Sequence, residues 1–168
     1  MHAVIIDPKA PMPDNYAVRF GHFNFKWNQI ESMIEEAIWL IAGTPPLVGR
    51  IFTNKLTVRY RTDLLSELVQ VVDVPDQARI IWKGVKRDVD KLAKKRNEMV
   101  HSRWAHLEGQ GFLLSTKFAD AKVGLVTGTR KIDLDDILNY INQADKIIQS
   151  LREMISVFEK RASASRGE

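Results

Sequence analysis

Apolar residues recur at spacings of three and four through most of this chain, the period of helices that bury one face. Phe23, Trp27, Ile30, Ile34, Ala37, Ile38 and Ile41 form a first stripe, widened by Met33 and Leu40 until Gly43-Thr44-Pro45-Pro46 stops the helix. Pro8, Pro11 and Pro13 forbid a continuous helix before it, which predicts an extended arm over residues 1–20. The pattern from Leu47 to Tyr60 is mixed and reads as loop or short turns. A second helix follows from about Thr62 with Leu64, Leu65, Leu68, Val71 and Val72. A long helix runs from about Pro75 to near Trp104 on Ile81, Val85, Val89, Leu92, Met99 and Val100, with Gly84 as a tolerated weak point. Gly109 and Gly111 then break helical periodicity, and FLLSTKF and KVGLVTG are β-prone runs that predict a small hairpin. Asp133 caps the last helix, whose stripe of Leu134, Ile137, Leu138, Ile141, Ala144, Ile148, Leu151, Ile155 and Phe158 continues to about Lys160 and leaves 162–168 as a flexible tail.

These elements predict a mainly α fold: an up-and-down antiparallel bundle of four or more helices with a small β-hairpin before the last helix. At 168 residues, 45% of them hydrophobic, the chain has the size of one domain with a real core. It has no cysteine, so disulfides and thiolate metal sites are excluded. His2, His22, His101 and His106 lack metal-ligand spacing, and no metal or cofactor is expected. The N-terminus lacks the basic start and apolar run of a secretion signal, and no stretch approaches a membrane span, so a cytoplasmic protein with no membrane partner is expected.

Net charge is +4, and its distribution is informative: between Arg79 and Arg103 stand nine Lys or Arg residues against Asp88, Asp90 and Glu98. A basic helix of this kind can guide a polyanion or simply be solvated. Lys91, Lys94, Lys95 and Arg103 are the candidates for phosphate contact, with Lys83, Lys86 and Arg87 further along the same helix. Trp82 and Trp104 could stack on bases, although packed aromatic side chains explain them more simply.

Arg96 projects near the centre of the long helix's apolar stripe, a place where a guanidinium requires carboxylate, phosphate or backbone partners. Glu31, on the flank of the first stripe, is a candidate resident partner that would make Arg96 structural. A salt bridge of this kind is also a better reading of Glu31, Glu35 and Glu36 than a metal site. A cleft at Arg96 would instead make it a phosphate receptor. Asn97 and His101 are one helical turn apart, so the amide can orient the imidazole. Arg96 and His101, five apart, diverge by about 140° on an ideal helix, and they face one point only if Arg96 reaches around, the helix ends or bends, or two subunits share the site.

The run RNEMVHSRW at 96–104 resembles the Arg-x4-6-His signature of the HEPN superfamily, in the form where Asn follows Arg. The resemblance implies a single dimeric HEPN-like helical domain over 1–168, with Arg96 and His101 as a catalytic pair and Asn97 as an auxiliary polar residue. It implies metal-independent endoribonuclease activity of the kind found in toxins and abortive-infection proteins, with RNA, a second copy of the chain and an antitoxin protein as partners. The segment 105–132, with its hairpin, departs from the simplest family pattern. The chemistry is consistent in principle, because RNA carries its own 2′-hydroxyl nucleophile and needs an acid or base near neutral pKa and a cation for developing charge. The competing expectation is a non-catalytic dimer that holds nucleotide, RNA or protein on the same anchors. His106 is read as a loop histidine.

Overall fold

The computed structural model describes the backbone of residues 12–107, 111–120 and 124–164 and the side chains of 12–102, 104 and 131–160. Within these residues the fold is a mainly α helical bundle: α1 (Asp14–Ile41), α2 (Pro46–Thr53), α3 (Val58–Val71), α4 (Asp76–His101) and α5 (Leu134–Ala164). Between α4 and α5 lie β1 (Arg103–Leu107), β2 (Gly111–Asp120) and β3 (Gly124–Ile132), an antiparallel sheet in the order β1-β2-β3. The expected hairpin is β2 with β3, registered from Phe112 opposite Ile132 to Asp120 opposite Gly124. The strand β1, which the helical pattern had assigned in part to the long helix, adds to it with Trp104 opposite Leu114. No helix of the described residues is long and apolar enough to cross a membrane.

Three boundaries differ from the sequence expectation. The extended arm does not reach residue 20, because α1 begins at Asp14 with the Pro13 carbonyl accepting from the Tyr16 and Ala17 amides. Proline lacks only an N–H that this cap position does not use, so Pro13 starts the helix; the rest of the arm, 1–11, lies outside the described residues. The mixed region from Leu47 to Tyr60 contains a whole helix, α2, and the first turn of α3. Pro46 at its first position is preorganised for helix entry. At the other end α5 continues to Ala164, so 162–164 are helical and only 165–168 of the expected tail lie outside the described residues.

The helix ends follow local chemistry. Gly43, at φ 62°, terminates α1 with the Gly43 amide on the Leu40 carbonyl and the Thr44 amide on the Trp39 carbonyl, the paired bonds of a Schellman cap. At the start of α5 the Asp136 carboxylate accepts from the Asp133 amide at 3.1 Å, closing the reciprocal half of a capping box.

The chain divides into two compact units, Met1–Asn24 with Leu92–Asn142, and Phe25–Lys91 with Gln143–Glu168. In the first, Tyr16, Phe23, Leu92, Met99, Ile132, Ile137, Tyr140 and Ile141 are buried. The Tyr16 hydroxyl donates to the Ile132 carbonyl at 3.2 Å and Arg19 to the Leu134 carbonyl at 3.0 Å, fixing the start of α1 at the β3–α5 junction. In the second unit the core comprises Trp27, Ile30, Ile34 and Ala37 of α1, Leu65 and Val69 of α3, Trp82, Val85 and Val89 of α4, and Ala144, Ile148, Leu151 and Met154 of α5. Its most polar interior feature is Arg61, whose guanidinium meets Glu31 at 2.9 Å and Glu35 at 2.8 Å while its Nε donates to the Thr53 carbonyl at 3.2 Å.

Candidate functional site

On α4 the buried side chains are Ala78, Trp82, Val85, Val89, Leu92 and Met99, alternating steps of four and three with one position missing between Leu92 and Met99. That position is Arg96. A guanidinium thus occupies a place that the helix otherwise gives to the core, in agreement with the stripe read from the sequence. It is half-buried, and its Nε is enclosed without a hydrogen-bond partner among the described residues. Its hydrogen bond among the described residues is a long one, from Nη1 to the Asn97 side-chain oxygen at 3.4 Å. An enclosed N–H without an acceptor is uncommon, because the desolvation of the donor is not repaid by a bond.

The resident partner foreseen for Arg96 is engaged elsewhere. Glu31 accepts from the Trp27 indole and from Arg61, and Glu35 also binds Arg61. The guanidinium that satisfies these carboxylates is Arg61, so the salt-bridge reading of the acidic cluster is right in kind and wrong in partner. Pairing across 30 residues leaves no local trace in a sequence. The one available signal was the four-residue step from Arg61 to Leu65 to Val69, which puts Arg61 on the α3 stripe.

Asn97 and His101 lie on the exposed side of α4, and His101 is its last residue. The amide oxygen of Asn97 faces Arg96, and among the described residues no hydrogen bond joins Asn97 to His101. The geometry therefore links Asn97 to the arginine and leaves the imidazole in solvent. Side chains close the end of α4: the Trp104 indole donates to the Met99 carbonyl at 3.0 Å, and the Ser102 hydroxyl donates to the Glu98 carbonyl. Trp104 is held edge-on against Phe20, ring centroids 5.7 Å apart at 64°. These bonds satisfy carbonyls that a helix end leaves open and so set where His101 stands. Trp82 is buried, its indole donating to the Ser66 hydroxyl at 3.0 Å, so it is not available as a stacking platform, whereas Trp104 is part-buried.

The basic helix is only partly available. Lys86 is bound to Asp63 at 2.6 Å, Arg87 to Asp88 at 2.9 Å and Lys95 to Glu98 at 3.5 Å. Lys83, Lys91 and Lys94 are exposed. Lys91 lines a groove of about 460 Å³ with Ile80, Gly84, Asp88, Gln143 and Lys146, in the second unit, whereas Lys94, Lys95 and the motif belong to the first. Arg103 stands on β1 and His106 on the same strand; their side chains lie outside the described residues. Among the described residues no three His, Asp or Glu side chains are grouped to hold a metal ion. No family model, no curated protein and no solved structure matches the chain.

Proposed function

We propose that this chain is a HEPN-like, metal-independent endoribonuclease that acts as a cytoplasmic dimer, with Arg96, Asn97 and His101 as its reacting group. The observation that carries the reading is the enclosed Nε of Arg96, without a partner among the described residues, on an otherwise apolar stripe. A guanidinium kept partly dry and short of acceptors binds a phosphate more strongly than one already satisfied by water or carboxylate. His101, exposed one turn beyond Asn97, supplies an imidazole, a side chain that can take up and give back a proton.

In the proposed step the 2′-hydroxyl of RNA attacks the adjacent phosphorus. His101 takes the 2′-proton, the 2′-O–P bond forms as the P–O5′ bond breaks, and the leaving 5′-oxygen takes a proton from solvent. Arg96 holds the charge that grows on the phosphorane-like oxygens, and Asn97 holds Arg96 through its amide oxygen. The products are a 2′,3′-cyclic phosphate and a 5′-hydroxyl. Because Arg96 and His101 diverge around α4 by about 140°, a second copy completes the site. Lys91, Lys94, Lys95 and Arg103 guide the RNA, and an antitoxin is a fitting protein partner for such an activity.

The absence of an Asn97–His101 hydrogen bond among the described residues favours a second reading, in which the same dimer holds RNA, nucleotide or protein without turnover. Incubation with structured and single-stranded RNA in the presence of a chelator separates the two. Cyclic-phosphate products from wild type and none from His101→Ala are expected; no cleavage by wild type, or equal cleavage by the variant, overturns the nuclease.

A further inference from the structure

The helix α2 is amphipathic, but it is turned outward. Its small or polar residues Gly49 and Thr53 are buried, with Gly49 so close to the Trp39 ring that an added Cβ would lie 2.3 Å from Cδ1, and with the Trp39 indole donating to the Thr53 hydroxyl at 3.2 Å. Arg61 binds the Thr53 carbonyl and locks the end of α2. The opposite arc carries Leu47, Val48, Ile51 and Phe52, exposed by 82%, 43%, 70% and 68%. On an ideal helix these four span about 140°, a continuous apolar face. Tyr60, at the start of α3, is 64% exposed as well. Around them Arg50, Lys55 and Arg59 are exposed, and no Asp or Glu occurs between Glu36 and Asp63.

Four large apolar side chains on one face are held in water by contacts that leave α2 no other orientation. A second copy is a poor cover for this face, because a symmetric contact would bring the Arg50, Lys55 and Arg59 cations of two copies together. The rim selects an acidic counter-surface. Side chains this exposed project from the helix instead of lining a pocket, which suits a fluid and deformable surface.

We propose that the outer face of α2 docks on an anionic lipid bilayer surface, with Leu47, Ile51 and Phe52 entering the interface and Arg50, Lys55 and Arg59 meeting the headgroups. The contact is peripheral and needs no spanning helix.

Sedimentation of the full chain with vesicles tests this, using phosphatidylcholine alone and phosphatidylcholine containing phosphatidylglycerol. Capture by the anionic vesicles only, weakened by salt, is expected. Binding falls at least about tenfold in Ile51→Ser/Phe52→Ser and in Arg50→Glu/Arg59→Glu, while substitution of the exposed Lys160, Lys160→Ala, leaves it as in wild type. Both double substitutions lie on exposed positions, and an unchanged melting temperature shows that the fold is kept. Capture equal in wild type and the Ile51/Phe52 variant overturns the proposal, as does the absence of capture. A wild-type dimer that this variant splits into monomers on light scattering also overturns it, because a second copy would then be the cover.

Discussion

Replacing Arg96 with leucine separates a functional arginine from a structural one, because the two predict stability changes of opposite sign. Arg96 sits at a core position of α4 between Leu92 and Met99, its Nε enclosed and unbonded and its Nη1 only 3.4 Å from Asn97. The substitution removes a buried donor without an acceptor, a defect of about 1–3 kcal/mol. It loses a long, partly exposed contact of less than about 1 kcal/mol and some packing of the arginine stem. The leucine continues the apolar stripe and recovers that packing. The balance is a stabilisation of about 1–2 kcal/mol, or roughly 2–4 °C in melting temperature for each kcal/mol in a chain of this size. Urea unfolding followed by circular dichroism gives the free energy, and the RNA incubation gives activity on the same preparation. The expected variant is more stable and inactive. A variant destabilised by more than about 1 kcal/mol refutes the reasoning, for it would mean that the fold uses the guanidinium.

Arg61→Leu is the counterpart: it leaves Glu31 and Glu35 without their cation and is expected to cost about 3–5 kcal/mol in urea unfolding, with part recovered when Glu31→Gln and Glu35→Gln are added. Gly49→Ala forces a methyl group into the Trp39 ring, 2.3 Å from Cδ1, and lowers stability by about 1–3 kcal/mol in the same assay. The Lys86 ammonium, hydrogen-bonded to Asp63, holds that carboxyl below its ordinary value. A depressed folded-state value stabilises the protein above the unfolded carboxylate pKa and ceases to do so as pH falls through the folded value. Wild type should therefore exceed Asp63→Asn at neutral pH by less than about 1 kcal/mol, the pair being half-exposed, and the two should converge in acid.

The long helices were legible in the sequence because α1, α4 and α5 bury most of what their period marks, although Val100 and Leu138 are 38% and 42% exposed. Phe23, Trp27, Ile30 and Ile34 in the first, and Ile137, Ile141, Ala144, Ile148 and Leu151 in the last, are all core. The region from Leu47 to Tyr60 was illegible for the reverse reason. In α2 the apolar residues face water and the glycine and threonine face inward, so a reading that places apolar residues inside finds no helix there. In α3 Arg61 and Thr62 take buried positions while Val71, assigned to the stripe, is 79% exposed. The motif was legible as residue types at the end of a helix, and the position of Arg96 on the stripe followed from the spacing alone. The orientation of Asn97 towards Arg96 was not, since an amide with neighbours on both sides leaves its choice to packing.

Arg61 and Arg96 pose the same physical problem to one chain, and the two solutions differ. Each continues an apolar stripe, Arg61 one turn before Leu65 and Arg96 one turn after Leu92. Around Arg61 the fold supplies two carboxylates and a backbone carbonyl, so that Nε, Nη1 and Nη2 all have acceptors. Around Arg96 the described residues supply one distant amide oxygen and no acceptor for Nε. A sequence that can satisfy a buried guanidinium so fully at one place has no physical need to retain an unsatisfied one at another, where leucine or methionine would pack without a polar defect. The arginine at 96 thus supports the proposed site, in which its acceptor comes from outside the chain. In that proposal the acceptor is a phosphate diester, because its cleavage would use both Arg96 and the exposed histidine at the end of the same helix.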